Sequence, residues 1–131
     1  MNNVEIVKDA YAKFGVGDVA GLIGLCSADI HWQTPVIENA NFGGIWHGQK
    51  GVGDFFVSLV GDENITHFEP IEFIAEGEKV VVSGKSASTV KSTEKNYETD
   101  WVHIFTVQAG KITKFVEFFD NHIAATKAFA V

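Results

Sequence analysis

The sequence predicts an α+β fold in which helices come first and a meandering antiparallel sheet follows. Apolar residues in the N-terminal part recur every three or four positions, which is the period of a helix that buries one face. From about residue 66 onward, apolar and polar residues alternate in segments separated by short turn sequences, as in β-strands. A strongly curved sheet wrapped over helices leaves a cavity between the two layers, so we also expect a pocket.

Two helices are predicted at the N-terminus. The first has Asn2 or Asn3 as its N-cap, ends at Gly15, and carries an apolar face formed by Val4, Val7, Tyr11 and Phe14. After the break in GVGD, Asp18 can cap a short second helix. The apolar residues of that helix are Val19, Leu22, Ile23 and Cys26.

The segment ADIHWQTPV switches to the two-residue period of a first strand, which Pro35 ends. One face of this strand carries Ile30, Trp32 and Thr34, and the other carries His31 and Gln33. Residues 36–47 are predicted to form an irregular loop. A third helix is expected from Gly51 to Val60, with an apolar face formed by Val52, Phe55, Phe56, Leu59 and Val60.

Four further strands and a short closing helix complete the predicted order. The strands are expected near 66–75, 78–91, 96–108 and 111–120, joined by the turn sequences EGE, STEKN and QAGK. Asp120 is the predicted cap of the closing helix, which covers NHIAATKAFAV.

Composition limits the class of protein. A length of 131 residues favours one domain, residues 1–131, and 46% hydrophobic content is sufficient for a core. No apolar run is long enough to span a membrane, and the N-terminus lacks the features of a secretory signal. Cys26 is the only cysteine and cannot form an internal disulfide, which predicts a reducing, cytoplasmic setting.

Charge and motif content exclude several partners. The net charge is −7, from 10 Lys and Arg against 17 Asp and Glu, and no basic cluster exists that could neutralise phosphates. The sequence has no Walker motif, dinucleotide fingerprint or CxxC, and its five histidines form neither HxH nor HExxH. We therefore expect no nucleic-acid partner, no membrane partner, no cofactor and no metal site.

Five segments, taken in order, resemble the SnoaL-like branch of the NTF2-like superfamily. They are YAKFGVGD, ADIHWQTP, GIWHGQKGVGDFF, DWVHIFTVQAGKI and FVEFFDN, and together they extend over nearly the whole chain. The resemblance implies a cystatin/NTF2-like cone, in which a curved antiparallel sheet wraps over three N-terminal helices around a deep pocket. It further implies a homodimer through the outer face of the sheet. Members include polyketide cyclases, ketosteroid isomerases, epoxide hydrolases, dehydratases and non-catalytic proteins, so the fold alone does not assign a function.

The alternation of side chains groups the candidate site residues. One face of the strand at 96–108 carries Trp101, His103 and Phe105, and the equivalent face of the next strand carries Phe115, Glu117 and Phe119. Both faces of these strands contain apolar residues, so the pattern leaves their orientation open. The resemblance implies that this set points inward, because His103 falls where the polyketide cyclases place their catalytic aspartate.

The sequence departs from the family at three positions. His103 replaces the acid, and Thr34 lies where the ketosteroid isomerases carry a proton-shuttling aspartate. A hydroxyl has no useful basicity near neutral pH, which disfavours isomerisation of that type. Tyr11 lies about one position away from the isomerase tyrosine, and we do not assign that role to it.

His103 and Glu117 are the predicted catalytic pair. Imidazole exchanges protons near neutrality, and side chains on adjacent strands can touch when the register matches. Such a pair could deprotonate carbon beside a carbonyl or activate water. The predicted ligand contacts form a largely flat, apolar bed with a histidine at the rim, and they are Trp32, Thr34, His47, Trp101, Phe115 and Phe119.

Two classes of function remain open. One is a cofactor-free acid–base enzyme of the cyclase, isomerase or hydratase/dehydratase type, acting on a small, largely apolar or cyclic molecule. The other is a non-catalytic ligand-binding or dimerisation module in which His103 is a buried imidazole satisfied by Glu117. An enzyme should show both groups within hydrogen-bond reach and facing a cavity, whereas a binding module should show them fully buried.

Overall fold

A computed structural model describes residues 1–131 as a mixed α+β fold of four helices and six strands. The elements, in chain order, are α1 (Asn3–Gly15), α2 (Val19–Gly24), β1 (Cys26–Thr34), β2 (Gly44–His47), α3 (Gly48–Asp62), β3 (Glu63–Glu76), β4 (Lys79–Val90), β5 (Asn96–Gln108), β6 (Lys111–Phe119) and α4 (His122–Phe129). The predicted class is confirmed, and so is the predicted element order apart from β2. No helix is both long enough and apolar enough to cross a membrane.

All six strands form one curved, open sheet in the order β2-β1-β6-β5-β4-β3. Every neighbouring pair is antiparallel except β1 and β6, which run parallel. The meandering antiparallel arrangement predicted for the later strands is confirmed over β3–β6, and the parallel pairing of β1 with β6 was not part of the prediction. Alternating side chains report that a segment is a strand, but they carry no information on the direction of its neighbour.

Three local predictions also need correction. The predicted loop at 36–47 contains β2, which pairs antiparallel with β1, and α3 already begins at Gly48. Cys26 belongs to β1 rather than to the second helix. Asn121, not Asp120, caps α4, because its side-chain oxygen accepts a hydrogen bond from the Ala124 N–H at 3.2 Å.

The predicted starts of α1 and α2 are confirmed by their capping bonds. The Asn2 side chain accepts from the Glu5 N–H at 2.8 Å, and the Asp18 side chain accepts from the Gly21 N–H at 2.9 Å. Each bond satisfies a backbone donor that has no partner within its helix. These caps fix where α1 and α2 begin and therefore which of their faces meets the sheet.

Asp62, at the end of α3, anchors the loop between β1 and β2. Its carboxylate accepts hydrogen bonds from the Asn41 N–H at 2.6 Å, the Asn41 side-chain amide at 2.7 Å and the Phe42 N–H at 3.0 Å. Hydrogen bonds to a charged acceptor are the stronger kind. The anchor holds Phe42 in the core, where it is 1% exposed.

The interior face of β5 is the centre of the molecule. Its buried residues alternate with exposed ones along the strand and are Tyr97, Thr99, Trp101, His103 and Phe105. The Trp101 ring lies over Gly84 on β4, and a Cβ at Gly84 would stand 2.3 Å from a carbon of the indole ring. Only glycine leaves enough space for the ring at this position.

Candidate functional site

A cavity of about 80 Å³ lies between the concave face of the sheet and helices α1–α3. Hydrophobic residues make up 15 of the 20 residues that line it. The other five are Glu63, Ser86, Ser88, His103 and Glu117, and Tyr11 adds a hydroxyl group from within the hydrophobic set. On the order of 10–15 Å³ is needed for one water molecule, so the space holds several waters.

The register of β5 and β6 places His103 directly opposite Glu117. In antiparallel strands, directly opposed side chains lie on the same face and within reach of each other. His103 Nε2 and Glu117 Oε2 are 2.6 Å apart. The imidazole is 4% exposed and the carboxylate side chain 15% exposed, so this contact is largely shielded from water.

Tyr11, on α1, makes the second contact of the imidazole. Its Oη lies 2.7 Å from His103 Nδ1, and the two rings stack at an interplanar angle of 12°. Tyr11, His103 and Glu117 therefore form one continuous chain of hydrogen bonds that joins a helix to two strands. All three residues line the cavity.

The protonation state of His103 decides whether Tyr11 or the imidazole is the hydrogen donor in the bond between them. With a neutral ring, Nε2–H donates to the Glu117 carboxylate, and Nδ1 accepts the hydroxyl hydrogen of Tyr11. With a protonated ring, Nδ1–H donates to the Tyr11 oxygen instead. The hydroxyl hydrogen of Tyr11 is then free for an acceptor in the cavity, with no change in heavy-atom positions.

Tyr11 remains a phenol in either state. Burial, and to a lesser degree the Glu117 carboxylate, raises the pKa of Tyr11 far above its ordinary value. The hydroxyl is therefore a hydrogen donor and not an anion at neutral pH.

Aromatic side chains form the rest of the cavity wall on β1 and β6. Trp32 and Phe115 are opposed in the parallel pair, and their rings stack at 3.9 Å between centroids. Trp32 is 4% exposed, yet its indole Nε1–H has no hydrogen-bond partner. An unpaired buried donor is costly, and an oxygen atom of a bound molecule would satisfy it.

Five of the predicted site residues line the cavity together, and they are Trp32, His103, Phe115, Glu117 and Phe119. The structure places the other three elsewhere. Trp101 packs behind the imidazole at 3.9 Å between ring centroids. Thr34 is buried and donates its hydroxyl hydrogen to the Phe42 carbonyl at 2.7 Å, and His47 is an exposed residue whose ring lies 5.2 Å from that of His31.

A second polar cluster faces the same cavity. The Glu63 carboxylate accepts hydrogen bonds from the Tyr97 hydroxyl at 2.7 Å and from the Ser88 hydroxyl at 3.2 Å. The pKa of Glu63 is raised to about 7, mainly by burial; the hydrogen bonds from Tyr97 and Ser88 lower it in part, and the charges of Glu117 and Asp62 raise it. The carboxyl groups of Glu63 and Glu117 therefore act on each other.

Sequence reasoning did not assign Tyr11 or Glu63 to the site. A signal for Tyr11 existed, since a tyrosine on the apolar face of a helix must find a partner for its hydroxyl. Glu63 offered no such signal, because it stands at the junction of α3 and β3, outside the predicted strand. No group of three or more His, Cys, Asp or Glu side chains is arranged to hold a metal ion.

Comparison with known proteins gives one family match. A model of the SnoaL-like domain matches residues 7–115. A comparison with curated proteins found no significant match.

Solved structures give matches over nearly the full length. An NTF2-like protein from Burkholderia xenovorans LB400 is 36% identical with a TM-score of 0.87, over 98% of this chain and 95% of the other. TerC co-crystallized with polyporic acid is 26% identical with a TM-score of 0.85, over 97% of each chain. A putative SnoaL-like polyketide cyclase from Mesorhizobium loti is 22% identical with a TM-score of 0.75, over 90% of this chain and 99% of the other, and it supports the fold alone.

Proposed function

Because this chain belongs to the SnoaL-like domain family, we propose that it binds a small, largely apolar or cyclic carbonyl compound in its cavity and transfers protons without a cofactor. The observation that carries the proposal is the Tyr11–His103–Glu117 chain at 2.7 and 2.6 Å, which faces a cavity otherwise lined mainly by hydrocarbon. TerC, a structural neighbour that is 26% identical to this chain, was co-crystallized with polyporic acid.

Tyr11 is the group that meets the ligand. Both ring nitrogens of His103 are occupied, so a ligand cannot reach the imidazole while Tyr11 stays in place. The Tyr11 hydroxyl donates to a carbonyl or hydroxyl oxygen of the ligand, and the His103 Nδ1–H replaces the donated hydrogen. Glu117 stabilises the positive charge on the ring during this transfer.

This proton delivery serves each reaction of the proposed class. Isomerisation and aldol cyclisation begin with enolisation, in which a water molecule in the cavity accepts the proton that leaves carbon while the carbonyl oxygen takes the hydrogen of Tyr11. Dehydration requires a proton on a departing hydroxyl. A donor that is already oriented in a water-poor cavity stabilises either change without reorganising solvent.

The second candidate is a non-catalytic ligand-binding module. It is favoured by the same two bonds, because they satisfy both nitrogens of an imidazole that is 4% exposed. In that case Tyr11, His103 and Glu117 are a structural network, and the cavity only binds.

Deuterium exchange separates the two candidates. The probe is 2-tetralone, a two-ring ketone with exchangeable hydrogen beside the carbonyl, followed by proton NMR in D₂O. We expect the protein to accelerate exchange, and Tyr11→Phe and His103→Gln each to reduce the rate by roughly 100-fold, since a positioned acid or base typically contributes at least that much. His67→Gln, on the exposed part of β3, is the matched control and should keep the full rate.

Two results would contradict catalysis by Tyr11 and His103. Binding of 2-tetralone with no acceleration of exchange supports the binding module. Equal exchange in the wild-type protein and in both site variants assigns the chemistry to other groups.

We also propose that the chain forms a homodimer through the outer face of the sheet and works in the cytoplasm, the latter on the ground that Cys26 is a free cysteine. An apolar row crosses the outer face in register and consists of Ile74, Val81, Ile104 and Val116. Beside it, Phe118 is 54% exposed and Val102 36% exposed. A contiguous apolar patch of this kind is typical of an interface.

Phe118→Glu is expected to convert the dimer into a monomer, because it would bury a charge without a partner in the interface. Size-exclusion chromatography with light scattering at fixed concentration measures the change. Val57→Glu, at a 74% exposed position on α3, should leave the mass unchanged. A monomeric mass for the wild-type protein contradicts the dimer.

A further inference from the structure

Glu63 is a buried carboxyl group with no cation beside it. It is 6% exposed, and no Lys, Arg or His side chain forms an ion pair with it. A buried ionised carboxylate without a counter-charge costs several kcal/mol, so it is an expensive way to hold two strands together. A hydrogen-bonded pair of neutral side chains would serve that structural purpose at lower cost.

The hydrogen bonds of Glu63 leave part of its capacity unused. An ionised carboxylate has about four acceptor positions, and here it accepts one bond from Tyr97 and one from Ser88. Ser86, next along the inward face of β4, also lines the cavity and makes no side-chain hydrogen bond to Glu63. The carboxylate is thus held in position by two donors while it still faces an open space.

Glu63 shares that space with the Tyr11–His103–Glu117 chain. Both groups line the same cavity, and the Glu117 charge raises the pKa of both Tyr11 and Glu63. The cavity therefore offers two separate polar points within one apolar surround. One is a hydrogen donor, Tyr11, and the other is a hydrogen acceptor, Glu63.

We propose that Glu63, oriented by Tyr97 and Ser88, is a second ligand-binding point that selects cyclic carbonyl compounds carrying a hydroxyl group. The ligand hydroxyl donates to the Glu63 carboxylate while the ligand carbonyl accepts from Tyr11. The inference rests on the proposed function, since it needs a ring compound in the cavity. It adds the substrate class: a ring with two oxygen groups of opposite hydrogen-bonding character.

The test compares the affinity of 2-tetralone with that of 6-hydroxy-2-tetralone, measured by fluorescence titration or calorimetry at about pH 8, where the Glu63 carboxyl, whose pKa is about 7, is ionised. We expect the wild-type protein to bind the hydroxylated probe roughly tenfold more tightly, in keeping with one added hydrogen bond to a charged acceptor. Glu63→Gln should reduce that preference to threefold or less while the affinity for 2-tetralone changes by less than twofold. Glu98→Gln, an exposed neighbour of Tyr97 on the opposite face of β5, is the matched control and should keep the tenfold preference.

A second variant keeps the test decisive if Glu63→Gln does not fold. Tyr97→Phe retains the carboxylate and removes one of its two donors, so the preference should remain or increase. Loss of the preference in Tyr97→Phe, in which the Glu63 carboxylate is intact, would assign recognition to the phenol and overturn the proposal.

The remaining outcomes separate this inference from the proposed function. Equal affinity of the wild-type protein for both probes, with 2-tetralone bound, overturns the role of Glu63 and leaves the cavity as a ligand site. Binding of neither probe overturns both.

Discussion

Between about pH 4.5 and pH 7, ionisation of Glu63 is expected to lower the folding stability of the wild-type protein by on the order of 3 kcal/mol. Glu63→Gln is expected to remove this pH-dependent contribution. Burial raises the pKa of this carboxyl from 4.5 in the unfolded chain to about 7 in the folded protein. Glutamine occupies nearly the same volume and does not titrate, so the variant lacks this component.

The sign follows from where each state releases its proton. Below pH 4.5 both states hold the proton, and the stabilising effect of the neutral, buried acid is fully present. Between 4.5 and 7 the unfolded chain ionises while the folded protein does not, so stability falls as pH rises. Above 7 both states are ionised and the loss is complete.

Urea unfolding of both proteins at half-unit pH intervals and fixed concentration measures the effect. The difference in unfolding free energy, wild type minus variant, should decrease by about 3 kcal/mol across this range. Hydrogen bonds that the amide alters change this difference by the same amount at every pH, so they do not affect its dependence on pH. Glu98→Gln removes the same formal charge from an exposed position and should give a difference that stays flat to about 0.5 kcal/mol.

A flat difference for Glu63→Gln would mean that the carboxyl is better solvated than its 6% exposure indicates. The measurement involves no ligand, so it tests the electrostatics of the cavity independently of the binding proposal.

The periodicity of β5 and β6 was sufficient to group the central site residues. It placed Trp101, His103 and Phe105 on one face of β5 and Phe115, Glu117 and Phe119 on one face of β6. The pairing of His103 with Glu117 depends on a register shift between Thr106 and Val107, because regular pairing continued from Gln108 and Lys111 would put Val116 opposite His103. The alternation of side chains does not reveal such a shift. The inward orientation came from the family resemblance, because both faces are partly apolar.

The contacts of Tyr11 and Glu63 could not be predicted from a local sequence pattern. The contact of Tyr11 with His103 joins residues 92 positions apart and depends on how α1 crosses the sheet. The contact of Glu63 with Tyr97 depends on the residue at which α3 ends and β3 begins. Helix crossing angles and element boundaries arise from packing of the whole chain, and a local pattern does not encode them.

Thr34 and His47 lie away from the residues that line the cavity. The resemblance puts Thr34 at the position of the isomerase aspartate, and the predicted loop puts His47 at the pocket mouth. In the structure Thr34 donates its hydroxyl hydrogen to the Phe42 carbonyl, and His47 lies exposed beside His31. The strand β2, which the pattern did not reveal, pairs with β1 over this region, with His47 opposite His31 and Gly44 opposite Thr34. A two-residue period assigns a face, but it does not show which residues of that face reach the cavity.

Trp101→Ala is expected to cost about 3–5 kcal/mol of folding stability, the range for removing a large buried aromatic side chain. Trp101 is 2% exposed and lies between Phe68 and His103, at 4.9 and 3.9 Å between ring centroids. Its indole N–H has no hydrogen-bond partner, so the loss comes from packing alone. Chemical denaturation measures it, and Asp100→Ala, at the exposed neighbouring position, should change stability by less than about 0.5 kcal/mol.

A double-mutant cycle with Gly84→Ala identifies the contact responsible. A Cβ at Gly84 would lie 2.3 and 2.5 Å from two ring carbons of Trp101 and 2.5 Å from the Glu69 carbonyl oxygen. Gly84→Ala alone should therefore destabilise by at least about 2 kcal/mol, because the ring must move. In the Trp101→Ala background two of these three clashes vanish, so the same change should cost at least 1 kcal/mol less. Strict additivity would show that the indole is not held against Gly84. The packing that positions the His103 ring would then come from its other aromatic neighbours, Phe68, Phe105 and Phe115.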